Sequence, residues 1–211
     1  MRRVFAAMSF ALAVSAGAFA ARAAPPPLSA ADRAELEKVS ASLNAIRSMK
    51  GQFIQIDPNG DIAQGAFELS KPGRVRFEYA PPTPTLIVSD GTTVAVENAK
   101  LGTMDRYPLG QTPLDLILSD EIDLAHNHEI VGVERGQDSL VIRARSRGGR
   151  AEGNIALTFS LPDLELRQWT VIDNQGLATT VALRDTQSGV DIPASQFVIP
   201  DRNPFAHKPR Q

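Results

Sequence analysis

Apolar and polar positions alternate through most of the chain. In GRVRFEY, Val75, Phe77 and Tyr79 fall on one side and Arg74, Arg76 and Glu78 on the other. Successive side chains of an extended chain point to opposite faces, so this stretch predicts a strand with one apolar and one solvated face. The same period runs through KGQFIQI, QGAFELS, TLIVSD, TTVAVEN, TMDRYPL, HEIVGVE, LVIRARS, NIALTFS, LRQWTVID and TTVALRD. DPNG, SDG, NAKLG, RGQD, RGGR and DNQG supply turn chemistry between them. Ahead of the first strand the period changes. Leu36, Val39, Leu43, Ile46 and Met49 recur at three- and four-residue spacing in LSAADRAELEKVSASLNAIRSM. That predicts a helix with Ser29 as its N-cap and acidic residues in its early turns. QTPLDLILSDEIDLAHN also breaks the alternation, and Thr112-Pro113 before a short apolar run predicts one or two short helices.

About eleven short strands joined by tight turns predict a mainly β fold with helices (α+β). The architecture expected is a strongly curved, incomplete antiparallel β-barrel with a helical lid or plug. The two helical pieces have too few partners to form a layer, so their apolar sides should lie on the sheet's concave side. A barrel of about eight strands is filled by its own side chains or holds one small ligand, and a wider one leaves a cavity. Periodicity leaves open whether the plug is fixed or movable. It also leaves open whether the concave side is an ordinary core or a binding space.

The N-terminus stands outside this pattern. MRRVFAAMSFALAVSAGAFAARAAPPP has Arg2 and Arg3, an uncharged Ala-rich run and the small-residue pattern Ala21, Arg22, Ala23. Residues 1–23 therefore read as a secretory signal peptide, and 24–211 as a single exported domain. A membrane anchor is the weaker reading, because the run is Ala-rich and only just long enough to span a bilayer. Cleavage removes three arginines and no acid, which takes the charge to 19 − 24 = −5 from 22 Lys+Arg and 24 Asp+Glu. A mildly acidic exported chain is a poor nucleic-acid binder. There is no cysteine, which removes disulfides, thiolate metal sites, a cysteine nucleophile and a lipid-anchored N-terminal cysteine. The product expected is a soluble monomer outside the cytoplasm.

Candidate chemistry changes the picture little. Asp57, Asn59, Asp61 and Glu68 have the spacing of a calcium loop, but Gly is missing at position six and strands flank it. Asn59-Gly60 between two strands reads instead as a hairpin turn. His126 and His128 with Asp123 lack a third ligand at fixed spacing and read as loop residues, so no metal is expected. Arg143, Arg145, Arg147 and Arg150 form the one basic run, most simply a solvated strand face. Gly-x-Ser-x-Gly, phosphate-loop and dinucleotide patterns are absent, so no catalytic residue or cofactor is assigned.

Several stretches together resemble one family. SLNAIRSMKGQFIQ, GAFELSKPGRVRFEY, LIVSDGTTV, LGQTPLDLIL and QFVIP follow in order through nearly the whole exported chain. They are similar to the periplasmic carriers of outer-membrane lipoproteins, the LolA family. The resemblance implies an open barrel whose apolar cavity takes up acyl chains under a helical lid. It implies non-enzymatic transport through the periplasm. An ATP-driven exporter of the inner membrane would supply the lipoproteins, and an outer-membrane receptor would accept them. The cavity residues so implied are Phe53, Phe67, Leu69, Val75, Phe77, Tyr79, Ile87 and Trp169. The lid residues are Leu36, Leu43, Ile46, Leu114 and Ile117. Lys71 stands where the family often has an arginine that bonds lid carbonyls, and Leu43 and Leu114 are the matching lid positions. A lysine keeps the charge but offers a compact ammonium in place of a planar five-donor fork. A lipid or glycolipid carrier, or a regulator that senses lipoproteins with the same fold, is the alternative.

Overall fold

The computed structural model describes residues 27–146 and 153–200. The signal peptide expected at 1–23 lies outside the described residues, as do Arg147 and Arg150 of the basic run. Helix α1 spans Ala30–Ala45. Its start is closed by a capping box: the Ser29 hydroxyl accepts from the Asp32 amide at 3.1 Å, and the Ser29 amide donates to the Asp32 carboxylate at 2.9 Å. Two otherwise unpaired amides are satisfied this way, and the bonds hold the Asp32 carboxyl below its usual range.

Eleven strands follow among the described residues: β1 (Ser48–Ile56), β2 (Ile62–Ser70), β3 (Arg74–Tyr79), β4 (Thr85–Asp90), β5 (Thr93–Asn98), β6 (Thr103–Pro108), β7 (Ile130–Arg135), β8 (Ser139–Ser146), β9 (Gly153–Ser160), β10 (Leu166–Asp173) and β11 (Ala178–Ser188). All pair antiparallel in one sheet of order β6-β5-β4-β3-β2-β1-β11-β10-β9-β8-β7. The sheet curves into an incomplete barrel. Its free edges, β6 and β7, are consecutive in the chain, so residues 109–129 must run from one edge to the other. They do so through a 3-10 turn at Leu109–Gln111 and one short helix, α2, at Asp115–Leu118.

The alternation read from the sequence fixes which face is buried. Leu140 and Ile142 on β8, and Ile155, Leu157 and Phe159 on β9, are all essentially inaccessible. They join Leu36, Val39 and Leu43 of α1 and Ile117, Leu118 and Leu124 of the connecting segment in one hydrophobic cluster on the concave side. Gly65 on β2 serves this packing: a Cβ there would run into the Glu78 carbonyl and the edge of the Phe53 ring. On the outer face Arg76 pairs with Glu78 at 2.8 Å, and the Arg74 guanidinium lies 5.7 Å from the ring of Phe197, which a 3-10 turn at Ala194–Phe197 seats there.

One boundary differs from the sequence reading. Helical spacing runs on to Ile46 and Met49, yet α1 stops at Ala45, Ile46 is already extended (φ −83°, ψ 110°) and Met49 belongs to β1. The sheet captures this stretch. The Arg47 carbonyl accepts from the Lys71 amide at 2.8 Å, and Ser48 pairs with Ser70.

Candidate ligand cavity

Between the concave face and its cover lies a cavity of about 30 Å³. About 10–15 Å³ of such space holds one water, so there is room for a few waters and far too little for an acyl chain as it stands. Its wall is apolar except at one point. From the sheet come Met49, Phe67, Leu69, Val75, Phe77, Leu166, Trp169 and Leu183; from the cover, Leu43, Ile46, Leu114, Ile117 and Leu118; and at the rim, Lys71.

Ten of the residues singled out in the sequence thus lie on the cavity: Phe67, Leu69, Val75, Phe77, Trp169, Leu43, Ile46, Leu114, Ile117 and Lys71. Four do not reach it, although all belong to or pack on the same core. Phe53 is fully buried, edge-on to Phe77 and Tyr79 at centroid distances of 5.2 and 4.9 Å. Tyr79 is only partly buried; its hydroxyl donates to Gln55 Oε1 at 2.6 Å, and burial pushes its pKa up to about 12. Ile87 is cross-strand from Phe77, and Leu36 sits nearly two turns up the helix from Leu43. Met49, Leu118, Leu166 and Leu183 were not identified from sequence. Leu183 had a usable signal, since TTVALRD alternates and Leu183 pairs with the inward-facing Phe53. Phe77 is the centre of the wall, stacked on Phe67 and edge-on to Trp169, both at 6.0 Å.

The β2–β3 corner, Lys71-Pro72-Gly73, touches both halves of the cover. Lys71 is 7% exposed, and its ammonium donates to the Leu43 carbonyl at 2.8 Å. Burial, and then the positive charge of Arg47, push its pKa down to about 8, against a smaller opposing effect from Asp120. Arg47 and Asp120 form an exposed ion pair at 2.8 Å. The Leu114 carbonyl accepts from the amides of Ile117 and Leu118. Gly73 instead ties α2 down: at φ +72° it turns its amide to the Leu118 carbonyl at 2.8 Å. That backbone conformation suits glycine.

The two halves of the cover also bond to each other. The Asn44 side chain donates to the Ile122 carbonyl at 3.0 Å and accepts from the Ile122 amide at 2.9 Å. One turn earlier, the Ser40 hydroxyl accepts from the Leu124 amide at 2.9 Å and donates to the Leu36 carbonyl at 2.7 Å.

The other candidates lie away from the cavity. The Asp57 carboxylate accepts from the amides of Asn59 and Asp61, closing a hairpin turn in which Gly60 has φ +87°. His126 Nδ1 lies 2.8 Å from the Asp123 carboxylate, and both are exposed. Arg143 is held by Glu134 through bonds of 2.8 and 3.1 Å. Among the described residues no helix is long and apolar enough to cross a membrane.

Comparison with known proteins places the sequence. The family profile described as outer membrane lipoprotein carrier protein LolA matches residues 44–200. An outer-membrane lipoprotein carrier protein from Chromohalobacter salexigens is 29% identical over 191 residues, spanning 85% of this chain and 89% of that protein. A protein of the same name from Methylococcus capsulatus is 27% identical over 180 residues, 80% of this chain and 85% of the other. Among solved structures, a LolA-superfamily protein from Nitrosomonas europaea aligns with 78% of this chain and 97% of its own, at 10% identity and a TM-score of 0.43.

Proposed function

Because this chain belongs to the LolA family of outer-membrane lipoprotein carriers, we propose that it carries lipoproteins through the periplasm by their acyl chains. An ATP-driven exporter in the inner membrane releases them to it, and it delivers them to a receptor at the outer membrane. No bond is made or broken. The observation that carries this reading is an apolar cavity under a two-part cover with one buried cation at its rim.

The energetics follow from the cavity's size. Cargo enters only when the cover lifts, because the space left beneath it is too small. Each buried CH₂ contributes about 0.8 kcal/mol to uptake. Against this stands the cover itself, whose Leu43, Ile46, Leu114, Ile117 and Leu118 occupy the apolar wall when no cargo does. Cargo and cover compete for the same surface, and that competition brings the net affinity down to a level that permits release.

The test is recovery of the natural cargo. The protein is purified from the periplasm without detergent and its bound species identified by native mass spectrometry. Expected are polypeptides with acylated N-termini. Phospholipid or glycolipid alone would replace this reading with that of a lipid carrier. Membrane-extraction assays would then decide whether lipoprotein is taken up at all.

A further inference from the structure

The two halves of the cover are fastened to the sheet at different places. Segment 109–129 is held by the Gly73 amide on the Leu118 carbonyl, at its two ends by the Leu109 amide on the Thr92 carbonyl and the Arg145 amide on the Glu129 carbonyl, and by Asp120 on Arg47. Helix α1 is held by Lys71 on the Leu43 carbonyl, by the Ser42 hydroxyl on the Leu164 carbonyl at 3.0 Å, and by Glu35 on Arg135 at 2.7 Å. Joined only through the sheet, each half would lift on its own. The polar seam between them changes that. Ser40 and Asn44 lie four residues apart, and therefore on one face of the helix. Between them they engage three backbone groups of the crossing segment, with Asn44 pairing to Ile122 as donor and acceptor at once. Ser40 is buried, and among apolar neighbours such a bond is costly to leave unmade.

We propose that Ser40 and Asn44 are positioning residues that couple α1 to segment 109–129, so that the two halves of the cover leave the sheet as one body. The inference rests on the reading that the cover lifts to admit cargo, and deepens it. Loading then becomes all-or-none: breaking the ties of either half to the rim releases both. Neither half can gape alone and expose the cavity wall to water.

The chain's lack of cysteine supplies the test. Val39→Cys on α1 and Ile117→Cys on α2 each place one thiol at a buried position, to be labelled with a thiol reagent in the lipid-free protein. Labelling requires that half of the cover to lift. Coupled halves give both thiols the same opening equilibrium and the same dependence on mild denaturant. Adding Ser40→Ala and Asn44→Leu should separate the two labelling rates by about tenfold. Restoring Asn44 alone should bring them back together. General destabilisation moves both rates in parallel, so only loss of coupling separates them. Unequal rates in the otherwise native chain, or equal rates in the double variant, would overturn the proposal. Should the double variant not fold, Asn44→Asp keeps the acceptor for the Ile122 amide and loses the donor. It should give a smaller separation, and no separation refutes the coupling. No cargo is present in these measurements, so a failure here is distinct from a failure to bind lipoprotein.

Discussion

A lysine ammonium buried against a carbonyl is a light latch. Burial, the largest cause, holds the Lys71 pKa down to about 8, so closing over the charged ammonium is opposed even with the bond to the Leu43 carbonyl made. The sign of the pH effect follows from the direction of the shift. Below about pH 8 the ammonium is charged whether the cover is open or closed, and the closed form bears the whole burial cost. Between about 8 and 10.5 the closed form has shed its proton while an exposed lysine has not, so closure becomes more favourable as pH rises. Trp169, the single tryptophan, lines the cavity and reports this. Its quenching by acrylamide should fall between pH 7 and 9.5, and Lys71→Arg should abolish the change, because a guanidinium stays charged throughout. A flat profile in the native protein, or the same slope in Lys71→Arg, would refute the account.

At the scale of elements, Phe77 joins Phe67 and Trp169 of the cavity wall to Phe53 in the core behind it. Phe77→Glu should abolish lipoprotein uptake, because a carboxylate among acyl chains costs several kcal/mol or takes up a proton. Phe77→Leu, which keeps an apolar wall, should retain most of it. Circular dichroism of both variants controls for folding, and a folded Phe77→Glu protein that extracts lipoprotein normally would remove Phe77 from the site. These strands were readable in the sequence because a half-buried strand writes its burial into a period of two, as Val75, Phe77 and Tyr79 show. The end of α1 was not readable. Ile46 and Met49 keep helical spacing, and it is the bonds of Arg47 and Ser48 to the β2–β3 region on one side and of Ser48 and Met49 to the end of β11 on the other that draw them into extended structure. Ser40 and Asn44 were equally hidden. A polar residue on a helix looks solvated until the segment that meets it is known, and that segment lies 78 residues away for Asn44.

The whole molecule depends on a feature that periodicity does not carry, the opening between β6 and β7. Sheet order sets β1 beside β11 and leaves the two edges to be bridged by residues 109–129, so this half of the cover is a continuation of the barrel wall, with α1 laid beside it. Lifting it costs the contacts of the cover but breaks no ladder pairing. On the proposed function, affinity for cargo is the acyl burial less the cost of lifting, and any change that fastens the cover should weaken loading and speed hand-off. Lys71→Arg is such a change. Its fork has donors to spare after meeting the Leu43 carbonyl, and guanidinium is more weakly hydrated than ammonium, so burial costs it less. One further charge-assisted bond of about 1.5 kcal/mol lowers cargo affinity roughly tenfold. Loaded from inner-membrane vesicles with ATP and exporter, Lys71→Arg should take up less labelled lipoprotein than the native carrier. Of what it takes up, it should pass a larger fraction to outer-membrane vesicles. Tighter loading with slower hand-off would mean that Lys71 contacts cargo, whereas unchanged loading and hand-off would show that the corner does not govern the cover.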